Sequence, residues 1–197
     1  MSGGEVLRPL SRKEVRWIYR WEMKEAFPPA ELKPLWSILS MMKRGECDAL
    51  GLFRGEELLG YALLRREGSF VLLDYLAACQ GKRNQGTGSA ILTGLKERYA
   101  DTAGLLAEAE AVEPGVSEEE NALRRRRLAF YARNGFGDLG YEAYIFSVRY
   151  AMLGWSAAGT PDRDAAMEAH RRLYRLRALE SLYRRYVHIP ADDERRS

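Results

Sequence analysis

The sequence predicts an α/β chain in which short strands alternate with amphipathic helices. Three observations carry this. An apolar run at 69–79 leads into Gln80-Gly81-Lys82-Arg83-Asn84-Gln85-Gly86-Thr87-Gly88-Ser89, and an apolar-periodic run follows at 90–99, which reads as strand, glycine-rich loop and helix. Ser11-Arg12-Lys13-Glu14 and Ser117-Glu118-Glu119-Glu120 both have capping-box spacing, the mark of a helix start. Residues 105–111 alternate with period two, as a half-buried strand does.

Taken in order, residues 5–10 read as a first strand. The first capping box predicts a helix over 12–26, with Leu10 and Val15 placed as a hydrophobic staple and Val15, Ile18, Tyr19, Met23 and Phe27 at helical spacing. Pro28-Pro29 stops it. Pro34 suits the first turn of a second helix that ends near Gly45. Residues 48–54 and 58–66 read as two strands around the turn Gly55-Glu56. Residues 69–79 form a third with one charge, Asp74, and 86–99 a helix. In the strand at 105–111, Glu108 and Glu110 share a face. A helix over 117–134 ends at Gly135, which suits a left-handed C-cap. Residues 142–152 form a last strand region. Residues 155–160 read as a linker, and Thr160-Pro161 starts a final helix with Pro161 at its first position. Leu176, Leu179, Tyr183 and Tyr186 give that helix an apolar face, expected to dock on the domain or a partner subunit. The expected division is a main domain at 1–153 and a C-terminal extension at 154–197.

Composition excludes several classes. At 197 residues, 46% hydrophobic and 30% charged, the chain is an ordinary globular protein long enough to bury a core. No apolar run reaches the roughly 18 residues of a membrane span, and the N-terminus lacks the pattern of a signal peptide. Cys47 and Cys79 lack metal spacing, His170 and His188 are the only histidines, and no serine-hydrolase elbow exists. No metal site is expected, and a reducing cytoplasm is the default compartment. The net charge of +3 is no nucleic-acid signature, although residues 124–127 and 171–185 are rich in arginine. Nucleic acid is therefore not expected as a partner.

The glycine-rich loop is the feature with chemical content. Backbone N–H groups at a helix N-terminus suit a phosphate. A Walker A loop is excluded, because Thr87-Gly88 stand where Lys and Ser/Thr belong. A Rossmann fingerprint is disfavoured, because Ile91 stands where its third glycine belongs. What remains is Arg83-x-x-Gly86-x-Gly88, and downstream stands Tyr131-Ala132-Arg133-Asn134-Gly135-Phe136.

Together, in this order and spacing, the two motifs resemble motif A and the end of motif B of the GNAT superfamily of N-acetyltransferases. The resemblance covers roughly residues 5–150. It implies a central mixed, largely antiparallel sheet, splayed in the middle and flanked by helices, with a C-terminal helical extension. It also implies that acetyl-CoA is the co-substrate. The loop Lys82, Arg83, Asn84, Gln85, Gly86, Thr87, Gly88 and Ser89 would hold the pyrophosphate. Leu76, Ala77 and Ala78 would offer backbone groups to the pantetheine arm and polarise the thioester carbonyl, often beside a β-bulge. Tyr131 would protonate the leaving thiolate. The first two helices shape the acceptor side in this family, so Trp17, Trp21, Trp36 and Met42 are lining candidates, with core packing as the alternative. Many members carry Asn seven residues before the tyrosine, against the pantetheine arm. Here Arg124 stands there, with Asn121 one turn earlier, and both are cofactor-side candidates.

A base must take the amine's proton. The candidates are Glu108 first, then Glu110 and Asp74. Glu108 and Glu110 either act in a cleft or pair with the arginines at 124–127. The expected activity is transfer of acetyl to an amine of a small molecule or protein, by direct attack in a ternary complex. A non-catalytic acyl-CoA sensor acting through a partner is the alternative. The acceptor, acyl-chain preference and oligomeric state, a homodimer among the options, are not legible.

Overall fold

The computed structural model describes residues 4–29, 31–175 and 180–190. Its strands and helices are interspersed along the chain, as a mixed α/β fold requires. Among the described residues, no helix is long and apolar enough to cross a membrane. The chain divides into two compact units, one of residues 1–66 and 73–98, the other of residues 67–72 and 99–197.

In the first unit, β1 (Glu5–Pro9), β2 (Cys47–Arg54), β3 (Glu57–Glu67) and β4 (Phe70–Ala78) lie in the order β1-β2-β3-β4. The β1–β2 and β2–β3 pairings are antiparallel, and Gly55, with φ +62°, turns β2 into β3. Helix α1 (Arg12–Ile18) starts as expected: Ser11 Oγ accepts from Glu14 N–H, and Glu14 returns the bond to Ser11 N–H. The expected helix over 12–26 is not uniform. It passes through a π-helical stretch, Tyr19–Met23, before the short α2 (Lys24–Ala26). Nothing in the apolar spacing distinguishes a π turn, because Val15, Ile18 and Met23 stay buried through it. Helix α3 (Leu35–Lys43) follows, with Pro34 at its N-cap, and Gly45 (φ +71°) stands just beyond its end. These helices cover a core of Val15, Ile18, Met23, Ile38, Met41, Tyr61, Leu63 and Tyr75. Helix α4 (Thr87–Arg98) buries Ile91, Leu92 and Leu95. It approaches β3 at Gly60, where a Cβ would stand 2.8 Å from a Thr87 methyl and 2.7 Å from the Ala77 carbonyl.

In the second unit, β5 (Gly104–Glu110) is followed by α5 (Glu118–Arg133), β6 (Gly137–Ile145), β7 (Val148–Trp155), α6 (Arg163–Arg175), α7 (Glu180–Tyr186) and β8 (Val187–His188). The strand order is β5-β7-β6-β8, with antiparallel pairing throughout. The expected last strand region at 142–152 is in fact a hairpin, β6 and β7, turning at Phe146-Ser147. Both turn residues have positive φ, +47° and +69°. That type of turn favours glycine or asparagine, so its sequence signal was missing. Phe146 stacks on Tyr186 and its N–H donates to the Tyr186 carbonyl, which offsets the strain. The final helix also starts later than expected. Pro161 is buried against Gly104 and Gly154, and Asp162 caps the helix by accepting from Ala165 N–H. Helix α6 buries Ala166, Ala169, His170 and Leu173 in the core of its own unit. Leu176 and Leu179 of the expected docking face lie outside the described residues.

Charge burial is strict in the first unit. Asp74 and Arg65 are 3% and 1% exposed and pair at 2.7 Å, and Lys33 joins at 3.2 Å. Burial alone would raise the Asp74 carboxyl. The charges of Arg65 and Lys33, with their hydrogen bonds, override it and hold the carboxyl below its ordinary value. Replacing Asp74 by Asn leaves the Arg65 charge buried without its counterion, which costs about 3–5 kcal/mol. Chemical denaturation of the variant measures this. In the parent protein the same contribution is present above the unfolded carboxyl's pKa of about 3.9 and is lost as pH falls through the lower folded value. A variant as stable as the parent contradicts it.

Candidate functional site

The loop between β4 and α4 turns sharply just before the helix. Gly81, Asn84 and Gly86 all adopt positive φ, of +73°, +61° and +82°. The loop is braced from within: Lys82 N–H donates to the Cys79 carbonyl, Gln85 Nε2 to the Gly81 carbonyl, and Thr87 Oγ1 to the Lys82 carbonyl. Among the described residues, no backbone N–H from Arg83 to Gly86 donates within the protein. The first N–H groups of α4, at Thr87, Gly88 and Ser89, have no intrahelical acceptor by construction. A Cβ built on Gly86 meets nothing within 4 Å, so the space before the helix is open.

The two cations of the loop differ. Lys82 is paired with Glu57. Arg83 is exposed and makes no ion pair among the described residues. Of the two expected phosphate partners, the structure leaves Arg83 the available one.

On β4, the Cys79 N–H donates to Leu59 and the Ala77 carbonyl faces Gly60, so both residues address β3. Alternation turns the N–H and carbonyl of Leu76 and Ala78 the other way. Those groups stand one short step before the loop, on the edge away from β3. Register shifts occur in β2 (Leu52/Phe53) and β6 (Asp138/Glu142).

Glu22 was missed in the sequence. It projects from the π-helical stretch, and its Oε2 accepts from Gln80 N–H at 3.0 Å. Beside it, burial and the Glu22 carboxylate push the Cys79 thiol up to about 12, so this thiol stays protonated and inert. The Tyr61 hydroxyl is fully buried and has no hydrogen-bond partner among the described residues. A π turn changes which way a glutamate points, and one sequence does not announce it.

In the second unit, Tyr131 lies in the last turns of α5, with its ring edge-on to Phe130 and Phe136. Asn134 caps the helix and Gly135 takes φ +81°, the left-handed residue expected. Burial pushes the Tyr131 phenol up to about 12, a shift that Arg127 opposes and Glu108 assists. The phenol therefore keeps its proton at neutral pH.

Glu108 and Glu110 share a face of β5 as expected, but they have different partners. Glu110 pairs with Arg124 at 3.1 Å and Arg127 at 3.2 Å. Glu108 instead accepts from the Tyr174 hydroxyl at 2.8 Å, and its Oε1 is 2.8 Å from His170 Nε2. His170 is fully buried, and its Nδ1 lies 3.3 Å from the Tyr141 hydroxyl. His170 and Tyr174 stand one turn apart on α6, a pairing visible in the sequence only once α6 is known to pack here. The third carboxylate, Asp74, is committed to Arg65 and Lys33.

Arg124 and Asn121 are engaged by the protein itself. Arg124 donates to the Ala111 carbonyl and pairs with Glu110, Glu113 and Glu120. The Asn121 side chain accepts from Glu113 N–H and donates to the Glu113 carbonyl. Both clamp the segment between β5 and α5, a sufficient structural role for each. Trp17, Trp21 and Trp36 are 51%, 57% and 74% exposed, so none of them is core.

No family model and no curated protein matches the chain. Solved structures do. A GNAT-family protein from Bacteroides thetaiotaomicron is similar with a TM-score of 0.68 at 22% identity, over 89% of this chain and 99% of that one. The ribosomal-protein-S18-alanine N-acetyltransferase of Escherichia coli is similar with a TM-score of 0.58 at 16% identity, over 77% and 92%. The spermidine N-acetyltransferase of Vibrio cholerae, in complex with CoA and spermine, is similar with a TM-score of 0.60 at 9% identity, over 77% and 94%. A strand, a glycine-rich loop and a helix, followed by a Tyr-ended helix closed by glycine, thus sit in a chain that has the fold of the GNAT acetyltransferases.

Proposed function

We propose that this chain is an N-acetyltransferase that moves acetyl from acetyl-CoA to an amine by direct attack in a ternary complex. The observation that carries the reading is the cradle from Arg83 to Ser89. Among the described residues, the N–H groups from Arg83 to Gly86 have no protein acceptor and Arg83 makes no ion pair, and the loop stands at the positive end of α4. That combination suits a pyrophosphate. One similar structure holds CoA.

The co-substrate supplies an activated thioester. The remaining work falls to the chain. The outward backbone groups of Leu76 and Ala78 orient the pantetheine arm, and an N–H there polarises the carbonyl as negative charge develops on its oxygen. Glu108 is assigned as the base. The Tyr174 hydroxyl and the His170 ring hold its carboxylate, whereas Asp74 and Glu110 are held by guanidinium groups, which makes those two poor proton acceptors. Tyr131 donates the proton that the departing thiolate takes. The step balances: the amine's proton passes to Glu108, the phenol's proton passes to sulfur, the new C–N bond forms, the C–S bond breaks and free thiol leaves, after which Glu108 loses a proton to solvent and the Tyr131 phenolate regains one from it.

The acceptor class stays broad. The similar proteins are named for a ribosomal protein's alanine and for spermidine. A protein amine and a polyamine therefore head the panel. The test is release of free thiol from acetyl-CoA with spermidine, free amino acids and peptides of varied N-terminus. Release with none of them, despite acetyl-CoA binding, overturns the catalytic reading.

Tyr131→Phe is expected to lower turnover by about 10²–10⁴-fold with little change in acetyl-CoA affinity, the signature of a lost proton donor. Because the phenol's pKa is about 12, its proton is present throughout neutral pH. Any basic limb of the rate profile below about pH 11 then belongs to another group, and the Tyr131→Phe variant keeps it.

Gly86→Ala and Arg83→Ala separate cradle shape from cradle charge. The alanine at position 86 must hold φ +82°, which costs about 1–2 kcal/mol and disturbs the aligned N–H groups. Arg83→Ala leaves the fold untouched and weakens acetyl-CoA binding by roughly 1.5–3 kcal/mol, the worth of a charged hydrogen bond. Calorimetric titration reads both. An unchanged affinity in both variants moves the cofactor site elsewhere.

A further inference from the structure

The solvent face of α1 and the π-helical stretch carries a row of cations interleaved with tryptophan. Arg12, Lys13, Arg16, Trp17, Arg20, Trp21 and Lys24 are all exposed. Among the described residues, none of these five cations makes an ion pair. Elsewhere in the unit, Arg8, Arg44, Arg54, Arg65 and Arg66 each hold a carboxylate. The helix's own acids do not neutralise the row. Glu14 is taken by Arg8, and Glu22 by Gln80 N–H, which leaves Glu25 as the exposed acid.

The geometry is periodic. Arg16 and Arg20, and likewise Trp17 and Trp21, stand four residues apart, about 6 Å along the axis. In a straight α-helix such pairs are offset by about 40° around the axis. The wider turn of the π stretch at Tyr19–Met23 reduces that offset and brings each pair closer to one line. Two adjacent lines result, one of guanidinium groups and one of indoles. The opposite face, Val15, Ile18 and Met23, is locked in the core, so this helix cannot sink into an apolar phase.

We propose that this face binds single-stranded nucleic acid, with phosphates on Arg16, Arg20 and their flanking lysines and bases stacked on Trp17 and Trp21. The polymer offers a charge and a flat π face in each unit, which matches alternating cations and indoles. A lipid surface fits less well. The apolar side chains exposed on α1 and the π stretch are the tryptophans alone, with no Leu, Ile or Phe to insert beside them. The whole-chain charge of +3 hides the row, because the paired arginines elsewhere are summed with it. This binding face stands independently of acetyl transfer.

The test is fluorescence anisotropy of a fluorescein-labelled oligouridylate with the full chain, from about 50 to 200 mM salt. Four phosphate contacts predict a slope of log affinity on log salt of about −3, at about −0.7 per phosphate. Arg16→Ala and Arg20→Ala each shrink that slope by about 0.7. Trp17→Ala and Trp21→Ala each weaken binding by about 5- to 150-fold, the worth of one stacked base. Arg83→Ala leaves binding unchanged, which separates this face from the phosphate loop. Because the four side chains are exposed, unchanged melting temperatures certify the variants' fold. No anisotropy change at low salt overturns the proposal. So does binding that ignores both tryptophan variants, or sedimentation with phosphatidylserine vesicles in the absence of oligonucleotide binding.

Discussion

The N-terminus of α4 sets the terms for the rest. A helix begins with N–H groups that its own backbone cannot satisfy. Most helices answer with a capping side chain, as α1 does with Ser11 and α5 with Ser117. Helix α4 shows no such cap among its described bonds. Its preceding loop instead takes left-handed turns at Gly81, Asn84 and Gly86, and among the described residues no N–H from Arg83 to Gly86 donates within the protein. The proposed pyrophosphate would complete that set. Gly60 belongs to the same device, because only a residue without Cβ lets β3 approach Thr87 and the end of β4 this closely.

Charge pairing then decides which carboxylates are available for chemistry. Asp74 is buried and must have cations, which Arg65 and Lys33 supply. Glu110 is drawn into the Arg124 and Arg127 pairs that fasten the segment between β5 and α5. Glu108 is held differently, by a phenol and a buried imidazole from α6. The C-terminal extension therefore does more than cover apolar surface in its unit: it orients the carboxylate that this account assigns as base.

Much of this was legible in the sequence because it rests on local rules. The two serine caps, the Gly55 turn, the strand–loop–helix and the Gly135 C-cap all declare themselves within a few residues. The misses share a different cause. The π stretch at Tyr19–Met23 preserves the same buried residues as an α-helix would. The Phe146-Ser147 turn is stabilised by Tyr186, forty residues away in sequence. Ion-pair partners such as Lys33 for Asp74 and Glu57 for Lys82 come from distant segments. The sequence offers candidate residues by type and position, but their partners decide what each can do, and partners are a property of the fold.

The most direct test is the change in thermal stability on adding acetyl-CoA, beside free pantetheine and ATP. A ligand that binds only the folded chain adds about 2.7 kcal/mol at a hundred-fold excess over Kd. The account predicts a clear shift with acetyl-CoA, a smaller one with pantetheine, which lacks the pyrophosphate, and a loss of that difference in Arg83→Ala. No shift at saturating acetyl-CoA, or an equal shift with pantetheine, contradicts the reading of the loop as its pyrophosphate site.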